Sequence, residues 1–98
     1  AELDRVFGEH PAVEEAAAIG VPAELGEEEI LLAVQLRAGW EVGATELVDW
    51  ARDRLAAHKL PRFVVKVDQI PHTPTHKPAK HRLKADACLL ARATDVAG

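Results

Sequence analysis

Cysteine, serine and aromatic residues are scarce or absent in this chain. Its 98 residues include one cysteine, Cys88, no serine, no tyrosine, two phenylalanines and two tryptophans. A single cysteine excludes an internal disulfide bond and is typical of a reducing, cytoplasmic setting. Because Cys88 stands among apolar neighbours, we expect a small buried side chain rather than a nucleophile. The absence of serine excludes serine-type nucleophilic catalysis.

Long apolar runs and targeting segments are lacking as well. No stretch approaches the ~20 apolar residues of a membrane span, and the N-terminal ten residues lack the basic and apolar regions of a signal peptide. The chain begins with Ala1 rather than methionine, so we expect an excised piece of a longer protein. Its length and its 48% hydrophobic content fit one small globular domain over residues 1–98.

Charge is divided unevenly along the chain, although the net charge is only −4. Residues 1–58 carry four basic and thirteen acidic side chains, whereas residues 59–98 carry eight basic and three acidic ones. A basic C-terminal part favours an anionic partner, such as a phosphate-bearing ligand or a nucleic acid. Ordinary solvated lysines would produce the same distribution, so both interpretations stay open.

Alternating apolar residues predict strands over residues 29–37 and 63–68. A further strand is predicted over residues 16–21, where the alanine run could equally extend a helix but Gly20 and Pro22 favour a strand. In the strand over residues 29–37, the even-numbered positions from Ile30 to Leu36 lie on one face and the odd-numbered positions from Leu31 to Arg37 lie on the other. We expect one core face and one partly covered face, as in an antiparallel sheet with helices on one side. The predicted fold class is α+β, with a small, mostly antiparallel three-stranded sheet packed with helices.

Three helices are predicted beside these strands. The first is indicated by apolar residues at i, i+3 and i+4, namely Leu3, Val6 and Phe7. The second has Thr45 as its N-cap and runs to about His58, because Pro61 prevents its continuation. In it, Trp50 is interpreted as a packing residue. A terminal helix is predicted over residues 79–93, with an inner face formed by Leu83, Ala87 and Leu90.

A proline-bearing loop over residues 71–78 precedes this terminal helix and presents one lysine. Pro78 forces Lys77 towards an extended backbone, and Pro74 does the same to Thr73. The hydroxyls of Thr73 and Thr75 can brace the turn locally. A compact ammonium on a long stem suits contact with a phosphate or with a developing negative charge. Lys77 is therefore the candidate functional side chain of the loop.

Six short segments stand in an order and at spacings that match a known pattern. They are His10-Pro11-Ala12-Val13-Glu14-Glu15-Ala16, Gly20-Val21-Pro22, Gly26-Glu27, His58-Lys59-Leu60-Pro61, Ile70-Pro71-His72-Thr73-Pro74-Thr75-His76-Lys77 and Lys80-His81-Arg82-Leu83. In this the chain resembles the small C-terminal domain of the adenylate-forming enzymes, the superfamily of acyl-CoA synthetases, peptide-synthetase adenylation domains and luciferases. The resemblance covers residues 1 to about 85.

The resemblance implies that Lys77 is catalytic, since it stands where the family's loop lysine contacts the substrate carboxylate and the nucleotide phosphate. It implies acyl-adenylate formation from a small carboxylic acid with ATP and Mg²⁺, followed by thioester formation with coenzyme A after the small domain rotates. Lys59, Lys80 and Arg82 are further candidates for phosphate or interdomain contacts. We expect none of these cofactors to bind to this domain alone.

Two departures from the family pattern accompany the resemblance. The glycine that precedes the family's lysine is replaced by His76, for which a backbone with positive φ is less favourable than for glycine. The nucleotide- and acyl-binding N-terminal domain, which would be the partner within the same enzyme, is absent from the chain. We therefore expect the chain alone to be inactive, and its loop over residues 72–78 to be mobile without a partner surface.

Other functions are less well supported. A metal site at His72, His76 and His81 is not predicted, because Pro74 prevents a helix in the loop and no carboxylate or cysteine there completes a tetrahedral set. A nucleic-acid-binding module is disfavoured by the acidic N-terminal part and by the few aromatic residues. A free-standing docking domain stays open, and an apolar patch near Trp40 or on the terminal helix would favour it.

Overall fold

The computed structural model describes residues 2–22, 28–56, 59–85 and 87–96. In chain order the elements are helix α1 (Glu2–Gly8), strands β1 (Val13–Pro22) and β2 (Glu28–Leu36), helix α2 (Ala44–Ala51), strand β3 (Phe63–Lys66), helices α3 (Lys80–Ala85) and α4 (Ala87–Arg92), and strand β4 (Thr94–Asp95). The strands form one sheet in the order β1-β2-β3-β4. No helix in these ranges is long and apolar enough to cross a membrane.

The predicted α+β class is confirmed, but the sheet is mixed and has four strands rather than three. The pairs β1–β2 and β3–β4 are antiparallel, whereas β2 and β3 are parallel. The parallel pairing follows from the connection, because the chain crosses from β2 to β3 through α2 instead of a tight turn. Strand β4 escapes prediction because two residues are too few to show alternation.

Both faces of β2 are buried, so the expectation of one partly covered face is wrong. On one face Leu32 and Val34 join a cluster with apolar residues of α1 and α2. On the other face Leu31 and Ala33, each 0% exposed, join a second cluster that includes Ile70 and residues of α3 and α4. The terminal helices cover this second face because the chain passes to that side of the sheet after β3.

The N-terminal elements follow the sequence prediction closely. Helix α1 buries the three residues of its apolar stripe, Leu3, Val6 and Phe7. Strand β1 is longer than the predicted 16–21 and begins at Val13. The register between β1 and β2 shifts between Val13 and Glu15, which indicates a local irregularity in the edge strand.

Helix α2 begins before Thr45, which is therefore not its N-cap. The N-cap is Gly43, which has an extended backbone and makes no side-chain capping bond, while its carbonyl accepts a hydrogen bond from Leu47 N at 3.1 Å. Ala44 is buried against the core, so the first helical residue contributes to packing. Thr45 is exposed on the first turn.

The same helix ends at Ala51, so the predicted extent to about His58 is wrong, and His58 itself lies outside the described residues. At this end Arg54 N donates to the Ala51 carbonyl at 2.9 Å, an i to i+3 bond that tightens the chain into turns. The Arg54 guanidinium donates a hydrogen bond to the Trp50 carbonyl at 2.8 Å. A side chain thereby satisfies a carbonyl that a longer helix would have bonded through its backbone.

The predicted terminal helix corresponds to α3 and α4. Leu83 is buried as expected, and Leu89 is buried in the same cluster. The side chains of Ala87, Cys88 and Leu90 lie outside the described part, as do Asp86 and the connector around Gly26.

Candidate functional site

Residues 71–78 form a closed hairpin, here called the lysine hairpin, rather than an open loop. Thr73 N donates to the Lys77 carbonyl at 2.8 Å, and His76 N donates to the Thr73 carbonyl at 2.9 Å. At the base, Ala79 N donates to the Pro71 carbonyl at 2.8 Å. These backbone bonds close the segment into a hairpin, most of whose side chains are exposed, and the expected mobility of residues 72–78 stays a prediction.

The tip of the lysine hairpin contains an uncommon backbone conformation. His76 has φ of +65°, and it is the one non-glycine residue with positive φ in the described ranges. His76 thus adopts the positive-φ backbone that the family's glycine would adopt more easily. Such a conformation costs roughly 1–2 kcal/mol for an L-residue, although histidine is enriched there relative to most side chains. The Thr73 and Thr75 hydroxyls lie 2.9 Å apart and brace the turn as expected.

Lys77 lies on the outgoing arm of the hairpin with its side chain exposed. Its carbonyl is held by Thr73 N at 2.8 Å, and its own N–H points towards Thr73 Oγ1 at 3.4 Å. Among the residues that the structure describes, none makes a hydrogen bond or an ion pair with its ammonium. The backbone is therefore hydrogen-bonded while the charge remains available to an external anion.

The other two candidate lysines are engaged by acidic residues of α1. Lys59 Nζ lies 2.9 Å from Glu2 Oε1, and a hydrogen bond and the positive charge of Lys59 lower the pKa of Glu2. Lys80 Nζ lies 2.9 Å from Asp4 Oδ2. An anionic ligand would compete with these carboxylates for either ammonium. Phosphate or interdomain contacts of Lys59 and Lys80 stay predictions.

Arg82 is exposed on α3, next to the base of the lysine hairpin. It lines an open depression of about 370 Å³ together with Gln69, Ile70, Pro71 and His72. A second depression, of about 390 Å³, places Arg82 near Arg92. The structure thus places Arg82 beside the base of the hairpin that carries Lys77, and it adds Arg92, which the sequence pattern does not single out.

The base of the hairpin is tied to the sheet by two side chains that sequence reasoning missed. Glu15 Oε1 lies 2.6 Å from His72 Nε2, and Gln35 Oε1 accepts a hydrogen bond from Ile70 N at 2.9 Å. Glu15 and Gln35 are register partners across the β1–β2 pair. The available signal was that each is a polar residue next to the apolar run of its strand.

The described ranges contain no cluster of side chains that could bind a metal ion. No group of three or more His, Cys, Asp or Glu side chains there could hold a metal ion. His72 is instead engaged by a single carboxylate, that of Glu15, while His76 and His81 are exposed.

Comparisons with known proteins agree with this fold. The family pattern described as AMP-binding enzyme C-terminal domain matches residues 2–77. The chain is 40% identical over 77 residues to the 3-oxocholest-4-en-26-oate–CoA ligase of Rhodococcus rhodochrous, covering 79% of this chain and 14% of that protein. It is 37% identical over 76 residues to the oxalate–CoA ligase of Saccharomyces cerevisiae, covering 78% of this chain and 14% of that protein.

Solved structures give the same assignment. A fatty acyl CoA synthetase of Mycobacterium tuberculosis superposes with a TM-score of 0.79 at 34% identity, covering 88% of this chain and 17% of that one. The amide bond synthetase McbA of Marinactinospora thermotolerans gives a TM-score of 0.75 at 35% identity, covering 85% and 17%. The chain thus spans a small fraction of the length of these proteins. It belongs to the AMP-binding enzyme C-terminal domain family, the small domain of acyl-CoA ligases in the adenylate-forming superfamily.

Proposed function

We propose that this domain supplies Lys77 for acyl-adenylate formation in a longer, ATP-dependent acid–CoA ligase. The observation that carries the proposal is the exposed ammonium of Lys77, which has no partner in the described part of the chain and stands on a hydrogen-bonded hairpin. A free charge on a fixed backbone is the arrangement needed to stabilise charge that develops during a reaction. The family membership supports the same role.

In the proposed first step, a carboxylate oxygen of the acid attacks the α-phosphorus of ATP, and the bond to the pyrophosphate leaving group breaks. Two anionic groups approach each other, so a nearby ammonium lowers the repulsion between them. The side chain of Lys77 offers a compact cation on a flexible stem, which fits such a bridge between carboxylate and phosphate oxygens. Arg82, beside the base of the lysine hairpin, is the better placed of the weaker candidates for a further phosphate contact.

In the proposed second step, the thiol of coenzyme A attacks the acyl carbon and AMP leaves. The domain would rotate between the steps and carry Lys77 away from the reacting atoms, as hinged domains do in other enzymes. We propose that the nucleotide, Mg²⁺ and the acid are held mainly by an N-terminal domain of the same enzyme, since the chain matches only 14% of the length of its CoA-ligase relatives. This domain alone would then be inactive, and we propose the cytoplasm as its location.

The acid substrate stays unspecified in this proposal. The relatives named above act on acids as different as oxalate and a sterol-derived acid. The pocket that distinguishes them would belong to the other domain.

The test is acid-dependent pyrophosphate release by the full-length enzyme, comparing wild type with Lys77→Ala. We expect a loss of about 10²–10³-fold in adenylate formation, with thioester formation from supplied acyl-adenylate retained. Lys84→Ala is the matched control, since Lys84 is also an exposed lysine, on α3, and its loss should leave both steps unchanged. Unchanged adenylation in Lys77→Ala would refute the proposal.

A docking role is the second candidate, and Trp40 is the observation that favours it. Its side chain is 51% exposed, and it is the large hydrophobic residue left at the surface of the described ranges. Exposed apolar residues of this size often mark contacts with another protein surface. Retained adenylation in Lys77→Ala together with weakened interdomain association in Trp40→Ala would favour docking over catalysis.

A further inference from the structure

We propose that His72 and Glu15 are positioning residues for Lys77, and that their contact sets the direction in which the lysine hairpin presents its ammonium. This inference rests on the proposed function of Lys77. It assigns a role to two residues that touch neither the reacting atoms nor the lysine side chain.

The lysine hairpin is attached to the sheet at two points on its incoming arm. Glu15 and Gln35 are register partners on adjacent antiparallel strands, so their side chains lie on the same face of the sheet. Gln35 Oε1 accepts a hydrogen bond from Ile70 N at 2.9 Å, and Glu15 Oε1 lies 2.6 Å from His72 Nε2. Ile70 is fully buried in the core cluster that covers this face of the sheet, so the chain is also anchored by apolar packing just before the hairpin.

The contact at His72 is the attachment nearest to Lys77. His72 pairs with Pro78 in a β-bridge across the hairpin, and the next residue, Thr73, donates its N–H to the Lys77 carbonyl. Lys77 is therefore linked to His72 on both arms. On the outgoing arm it precedes Pro78, which pairs with His72, and on the incoming arm its carbonyl bonds to Thr73, which follows His72. A shift of the imidazole would displace the hairpin and the lysine together.

The environment of the pair favours a contact that holds its geometry. The side chains of His72 and Glu15 are 34% and 27% exposed, so both are partly shielded from water. A short, partly shielded hydrogen bond to a carboxylate is stronger than an exposed ion pair, which contributes little. The bond from Ala79 N to the Pro71 carbonyl joins the two arms at the base of the hairpin, and beyond the outgoing arm Lys80 binds Asp4 of α1.

The neighbouring residue Glu14 provides a matched control. It lies on the same strand, and its carboxylate binds the Arg37 guanidinium at 2.9 Å. Within the described ranges, neither Glu14 nor Arg37 makes a side-chain hydrogen bond or ion pair with the lysine hairpin. Removal of Glu14 therefore deletes a carboxylate and an ion pair from the same strand without touching the proposed attachment.

The experiment compares His72→Ala, Glu15→Ala, the double variant and Glu14→Ala in the full-length enzyme, with Lys77→Ala alongside. Both half-reactions are measured separately, and kcat and KM are determined for adenylate formation. We expect His72→Ala and Glu15→Ala to lower kcat for adenylation by about 10-fold to 100-fold, since a misplacement near 1 Å costs that much. Thioester formation from supplied acyl-adenylate should be retained, and Glu14→Ala should resemble wild type.

Two further results separate positioning from plain stabilisation. The double variant should be no worse than either single variant, because each change removes the same contact. His72→Gln, which keeps a donor near the position of Nε2, should recover most of the lost rate. A parallel fall of both half-reactions, or full additivity in the double variant, would show a general structural role and overturn the proposal.

Failure of this inference and failure of the proposed function give different results. A strong loss in Lys77→Ala with adenylation unchanged in His72→Ala and Glu15→Ala would overturn the positioning role alone. Unchanged adenylation in Lys77→Ala would overturn the proposed function and the positioning role with it.

Discussion

The imidazole of His10 meets the indole of Trp50 edge-on, with ring centroids 4.9 Å apart and ring planes inclined by 71°. His10 Nδ1 also accepts a hydrogen bond from Ala12 N at 3.0 Å. An accepting Nδ1 requires the neutral ring with its proton on Nε2. Burial lowers the pKa of His10 from its usual 6.5, Glu46 raises this pKa and Arg54 lowers it, so the neutral ring is favoured overall.

The stability of the domain should therefore fall in mildly acidic solution. Because the pKa of His10 is lower in the folded chain than in the unfolded one, the unfolded chain binds the proton more readily below about pH 6.5. The contribution of His10 is complete above that pH and is lost progressively as the pH falls from about 6.5 through the lower pKa of His10 in the folded chain. Urea unfolding at pH 7.5 and 5.5 should show a smaller pH effect for His10→Asn, which keeps an acceptor that does not titrate. Equal pH effects in both proteins would contradict the role given to His10.

The positive φ of His76 should make alanine worse than glycine at this position. His76→Ala is expected to be about 1–2 kcal/mol less stable than His76→Gly, since glycine adopts the left-handed region without a Cβ clash. The strain is local, so amide exchange at Thr73, whose N–H bonds to the Lys77 carbonyl, is the sharper measurement. Faster exchange in the alanine variant is expected, and equal exchange in both variants would indicate that the hairpin tip accepts either residue.

Local patterns were enough to predict the elements whose residues repeat over several turns or positions. The apolar stripe of α1 and the alternation in β2 predicted the correct element types, whereas the role of the segment around Lys77 stays a prediction. The resemblance correctly indicated the family. The element ends were less predictable, because the start and end of α2 depend on the burial of Ala44 and on the contact of Arg54 with the Trp50 carbonyl.

The support of the site could not be predicted, for a physical reason. Glu15 and His72 are 57 positions apart, and nothing in the local pattern of either residue names the other as its partner. The burial of Leu31 and Ala33 was missed for the same reason, since the helices that cover them come much later in the chain. Long-range contacts of this kind follow from the packing of the sheet and not from periodicity.

Arg82 and Lys59 should differ in their effect on the full-length enzyme. Arg82 is exposed beside the lysine hairpin, whereas Lys59 is held by Glu2 at 2.9 Å. If Arg82 contacts a phosphate, Arg82→Ala should raise KM for ATP or coenzyme A by roughly 10-fold or more, the value of a charged hydrogen bond. Lys59→Ala should change KM by less than that. Steady-state kinetics with each substrate varied in turn will decide, and equal KM values for wild type and Arg82→Ala would remove Arg82 from the site.

Asp4 should contribute more to stability than the lysine it binds. Its Oδ2 pairs with Lys80 at 2.9 Å, and its Oδ1 accepts a hydrogen bond from Ala18 N at 2.9 Å. Ala18 belongs to the edge strand β1, so Asp4→Ala leaves a partly buried N–H without its partner and should cost about 1–3 kcal/mol. Lys80→Ala removes only the partly exposed ion pair and should cost at most about 1 kcal/mol. Urea unfolding of both variants measures the difference.

The same comparison tests the functional prediction for Lys80. If the ammonium only ties α3 to α1, Lys80→Ala should leave adenylation and thioester formation close to wild type at temperatures where the domain is folded. A loss of activity much larger than the small loss of stability would instead indicate that Lys80 leaves Asp4 to bind an anion. In that case Asp4→Asn, which weakens the competing carboxylate but keeps an acceptor for Ala18 N, should lower KM for the anionic substrate.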